Sequence, residues 1–125
     1  MIAGQRPTPA AFMRRGPRQD TGELRDVAGL SVTLANLRTE QQVVNNEQNN
    51  WKNLRGICVI AVTDVMDVSP TLDIIPDKPT HANIKGLPEV PEDPPTTDAG
   101  KEAYKKAEFF GRELASRARM CWVKL

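Results

Sequence analysis

Aromatic residues are scarce in this 125-residue chain, with three Phe, two Trp and one Tyr. Their scarcity removes the side chains that contribute most burial to a core. Histidine occurs once, at His81, and cysteine twice, at Cys58 and Cys121. That set has no zinc-ligand spacing and no disulfide framework, and it places no base near a thiol in sequence. Asp64, Asp67 and Asp73 lie close together without the spacing of a calcium loop. Gly22 and Gly29 stand alone, so no glycine-rich phosphate cradle occurs. These absences lead to the expectation that the protein is not an enzyme and uses no metal or cofactor.

Long apolar runs are missing too. The longest, residues 57–62, falls far short of a membrane span. The N-terminus has no apolar signal core, and Pro7, Pro9 and Pro17 oppose the amphipathic helix of a transit peptide. Both cysteines sit among apolar neighbours, where cysteine behaves as a small hydrophobe. The expected setting is a reducing, intracellular compartment, or a virion.

What the chain does contain is segregated charge. Residues 1–19 carry Arg6, Arg14, Arg15 and Arg18 with no acid. Residues 64–98 carry eight acids against Lys78 and Lys85, and residues 101–125 seven bases against three acids. A basic–acidic–basic order suits docking of oppositely charged parts, and the net charge of +1 does not by itself indicate nucleic acid.

Four regions follow from the patterning. Residues 1–19 read as a flexible basic arm, broken by glycine and proline, with Phe12 and Met13 as apolar anchors. Residues 20–68 read as one long helix with an apolar end. Val27, Leu34, Gln41 and Gln48 fall on one heptad position, and Leu30, Leu37, Val44, Trp51 and Cys58 on the other. Gly29 costs such a helix about 1 kcal/mol, and the two glutamines place amides in its seam. The stretch after Gly56 is ambiguous. Its β-branched residues and the glycine favour a strand, whereas the continuing heptad favours a helix, which is preferred narrowly. Residues 69–97 hold seven prolines and read as a Pro-rich, acidic, extended linker, with Pro88, Pro91 and Pro94 at the polyproline period. Residues 98–125 read as an amphipathic helix capped by Thr97 or Asp98, with Ala103, Ala107, Phe110, Leu114 and Ala118 on one face.

The expected fold is therefore mainly α: a long heptad-patterned helix and a basic C-terminal helix joined by an extended strap. The alternative is a small α+β domain with strands near 57–66, 72–75 and 120–125. The prolines leave about 75 residues for a core, which is marginal alone, so the helix seam is expected to be shared with another chain. The function that fits is a small structural subunit packing by helices into a larger assembly, as a homo- or hetero-oligomer. Leu30, Leu34, Leu37, Val44, Trp51 and Leu54 form the expected packing surface, with Trp51 as its hot spot. The less favoured alternative is a nucleic-acid or phosphate-surface binder using Arg14, Arg15, Arg18 and the basic C-terminal helix.

Overall fold

Thr97 starts the longest helix, and its hydroxyl accepts from the Gly100 N–H at 2.9 Å. In the computed structural model, which describes residues 7–15, 29–90 and 96–124, this helix, α3, spans Asp98–Arg117. It buries Ala107, Gly111, Leu114 and Ala115, and Leu114 is completely enclosed. The stripe of small and apolar residues therefore packs inward, as helical periodicity requires. The helix stops at Ala118, and the chain continues as the strand β7 (Arg119–Val123), not as helix to residue 125.

Around α3 the architecture is α+β, which corrects the mainly α expectation. Before it come a 3-10 turn (Pro9–Phe12), β1 (Arg14–Arg15), β2 (Leu30–Thr33), α1 (Glu40–Asn50), β3 (Gly56–Val59), α2 (Val62–Val68), β4 (Asp73–Lys78), β5 (His81–Lys85) and β6 (Glu89–Val90). The strands form an antiparallel sheet in the order β2–β5–β4, an antiparallel pair β3–β7 and a short parallel pair β1–β6. The α+β alternative expected strands near 57–66, 72–75 and 120–125 to pair; the first is strand only at Gly56–Val59, where β3 pairs with β7, and residues 62–66 belong to α2. The expected strand near 72–75 is β4, which pairs with β5 instead.

The heptad helix fails for local reasons. Residues 20–28 lie outside the described residues. Leu30, Val32 and Leu34 alternate with Ser31 and Thr33, a period of two that suits a strand as well as their spacing suits a heptad. Asn36 and Leu37 then turn the chain at positive φ (48° and 72°), which no helix accommodates. Thr39 begins a new helix. Its hydroxyl accepts from the Gln42 N–H, and the Gln42 side chain accepts in return from the Thr39 N–H. This reciprocal cap satisfies two donors that would otherwise be orphaned. α1 ends where Trp51 adopts extended backbone, so no seam continues into Cys58.

The proline-rich stretch is no bare strap. Leu72, Ile84 and Leu87 are buried and belong to one core with Phe12, Val65, Leu114, Ala115 and Ala118. Ile84 is flanked in register by Leu30 and Ile74, forming an apolar row across the sheet. The 3-10 turn of the presumed arm packs on α3, where Phe12 is only 4% exposed. Arm and strap together supply the core that the count of non-proline segments had left short.

Candidate functional site

Among the described residues, β2 pairs only with β5 and β3 only with β7. Between them, with α1 as a wall, lies a groove of about 680 Å³, within the range of ligand and peptide clefts. Its floor is Phe12, Val65, Ile74 and Ile84; its sides include residues 30–36, Val43, Val44, Leu54 and residues 56–60. The lining is predominantly apolar. Among the described residues, Glu40 and Glu47 are its only charged members, and both are acids.

Two contacts hold the walls. Thr33 Oγ1 donates to Glu47 Oε1 at 3.0 Å, tying β2 to α1. Arg119 donates through both terminal nitrogens to the Glu40 carboxylate, tying α1 to β7. The Arg119 guanidinium holds the Glu40 carboxyl below its ordinary range. Cys58 and Cys121 both line the groove as free thiols. Burial raises the Cys58 thiol, with a further push from Cys121, and burial followed by the Glu40 carboxylate raises Cys121. Cys121 Sγ donates to the Ile57 carbonyl at 3.4 Å.

Of the residues expected to form the packing surface, Leu30, Leu34, Val44 and Leu54 line this groove. Trp51 does not. It stands 61% exposed at the C-terminal cap of α1, and Leu37 is fully exposed in the turn before that helix. Val32, Val43, Ile57, Val59 and Ile60 were missed as surface residues. Only the alternation of residues 30–34 and the β-branched run after Gly56 signalled them, and neither shows which strands face each other. Arg14 lies 3.7 Å from Glu89 across the β1–β6 pair, Arg15 is exposed, and Arg18 lies outside the described residues.

A second polar cluster occupies the far side of the three-stranded sheet. His81 Nδ1 is 2.5 Å from Asp77 Oδ1, and the Asn83 amide reaches Asp77 Oδ2 at 3.5 Å. The His81 contact lowers the Asp77 carboxyl. Among the described residues no group of three or more His, Cys, Asp or Glu could hold a metal ion. Nor is any helix among them long and apolar enough to cross a membrane. No protein-family model, curated protein or solved structure matches this chain.

Proposed function

We propose that this chain is a small interaction subunit of a multiprotein assembly, binding other protein chains and carrying out no chemical step. The observation that supports it best is the groove. Four of the six apolar residues expected to meet a partner converge there, from β2, from α1 and from the loop after each. Val59 and Val62 on its margin are 37% and 56% exposed. Apolar surface concentrated in one concavity is the usual mark of a binding site. The helical seam is no longer part of this reading; docking uses the groove and its margin. A reducing compartment, intracellular or in a virion, suits two unbridged thiols in one cleft.

The test is co-purification of the tagged full chain with sedimentation over a concentration series. Leu34→Lys and Val62→Lys are expected to lose a stoichiometric partner, or self-association, that Arg14→Ala retains. Equal small effects from all three, or a monomer with no stoichiometric partner, would falsify the assignment.

A further inference from the structure

A strand offers alternate side chains to each face, so a cleft that met one face would be lined by every second residue. Here seven consecutive residues, 30–36, and five consecutive residues, 56–60, line the groove. Both strands therefore turn an edge towards it. The hydrogen bonds identify which backbone groups point there. The Leu34 N–H donates to Thr80 O, so residues 30, 32 and 34 direct their backbone groups to β5. By alternation, Ser31 and Thr33 direct theirs outward. On β3 the carbonyls of Arg55 and Ile57 accept from the β7 side, from the Lys124 N–H and the Cys121 thiol. Gly56 and Cys58 are thus turned to the groove.

The edges of the two sheets differ in how they are guarded. β4, the other outer strand of the three-stranded sheet, carries Asp73, Pro76, Asp77 and Lys78 and an irregularity between Pro76 and Lys78. Charge, proline and bulges are the usual means of blocking a further strand. β2 (LSVT) and β3 (GICV) have no charged residue and no proline. Leu30 and Val32 on β2, and Cys58 and Ile60 on and after β3, pack against the same core. A strand lying between them would continue one apolar face.

We propose that the groove takes an extended peptide segment of a partner protein, which adds as a strand between β2 and β3 and joins the two sheets. Its inward side chains are apolar, to match the floor of Phe12, Val65 and Ile84. One flank carries Lys or Arg to meet Glu47, because Glu40, the other charged lining residue among those described, is already paired with Arg119. Main-chain hydrogen bonds supply affinity in such strand addition, and pockets for alternate side chains supply selectivity. The inference rests on the interaction-subunit reading and specifies its partner as an extended strand.

The probe is a random dodecapeptide library selected on the immobilised full chain, followed by anisotropy titration of the enriched peptides. Expected are sequences of alternating apolar and polar residues with a basic flank. Bound peptide should slow amide exchange in Leu30–Thr33 and Gly56–Val59 together. N-methylation of either alternate set of peptide amides should weaken binding at least tenfold, because one set donates to β2 and the other to β3. That comparison leaves the protein's own fold untouched. Ser31→Pro, which removes an outward N–H without breaking the β5 ladder, should produce a similar loss. If peptides bind but are helical, protect α1 alone, or tolerate N-methylation of either alternate set of amides, strand addition between β2 and β3 is wrong and the interaction reading survives. The same holds if protection comes from a second copy of the chain. If nothing is enriched and the chain also lacks any stoichiometric partner, both fail.

Discussion

A Cβ built on Gly111 would stand 2.6 Å from the Pro9 carbonyl oxygen and 3.1 Å from Met13 Cγ. Alanine is the better helix former by about 1 kcal/mol, so Gly111→Ala tests which effect wins in α3. The clash is with backbone, which yields poorly, and overpacking of this kind costs about 1–3 kcal/mol. We expect net destabilisation in urea unfolding; a stabilised variant would mean that the 3-10 turn is not seated on the helix. The thiols offer a second measurement at this scale. Burial raises both cysteines above the ordinary range, so the reactive thiolate is depleted at neutral pH. Iodoacetamide should modify the folded chain several-fold more slowly than the unfolded chain at pH 7.5, and the rate should climb as pH rises past 9. A rate equal to that of free cysteine would contradict their burial in the groove. Gly86, at φ 93°, is fixed by the backbone: a Cβ there would sit 2.1 Å from the Thr71 carbonyl oxygen.

Among the elements, the β4–β5 hairpin carries the clearest pH dependence. Its Asp77 carboxyl is lowered, chiefly by the His81 hydrogen bond and also by the nearby cationic groups. A carboxyl whose folded value lies below its unfolded value of about 3.9 stabilises the fold above that pH. The contribution is lost as pH falls through the lower, folded value. Titration of the Asp77 carboxyl by NMR should give a midpoint below the ordinary aspartate range, and His81→Ala should raise it. An unchanged midpoint would mean that the pair does not form in solution. α1 shows how much a few local residues decide. The Thr39–Gln42 reciprocal cap was legible as T-x-x-Q, yet the longer heptad pattern, running through the same region, concealed it. β3 shows the opposite case. Residues 57–60 are too few and too uniformly apolar for periodicity to separate strand from helix, and the decision came from β7, more than sixty residues further along.

For the whole molecule, the question is whether the chain owns its core. Phe12, at 4% exposure, joins Leu72, Ile84, Leu87 and Leu114 in one cluster drawn from both ends and the middle of the sequence. Phe12→Ala should therefore cost about 3–5 kcal/mol in chemical denaturation, far more than truncation of a loose tail. A loss under about 0.5 kcal/mol, the scale of an ordinary surface substitution, would return residues 1–19 to the status of an arm. That core is drawn from the chain itself, and in the proposed reading the edges of β2 and β3, which carry no charge or proline, serve binding.

The sequence by itself determined the start and inward face of α3, because its cap and its stripe of Ala107, Leu114 and Ala118 depend only on neighbours a few positions away, whereas its end at Arg117 was decided by the pairing of β7 with β3. Four of the residues that gather at the groove were also legible in it, since Leu30, Leu34, Val44 and Leu54 are apolar whichever element carries them. The tertiary structure decided what those residues belong to. Strand pairing is a long-range bargain between segments such as residues 30–33 and 81–84, and no local pattern records which distant segment completes it. The same reason made a proline-rich stretch look like a spacer. Proline marks the outer strand β4 and the turns beside it, whereas the apolar residues between the prolines, Leu72, Ile84 and Leu87, find their burial only when α3 and the N-terminal turn close over them.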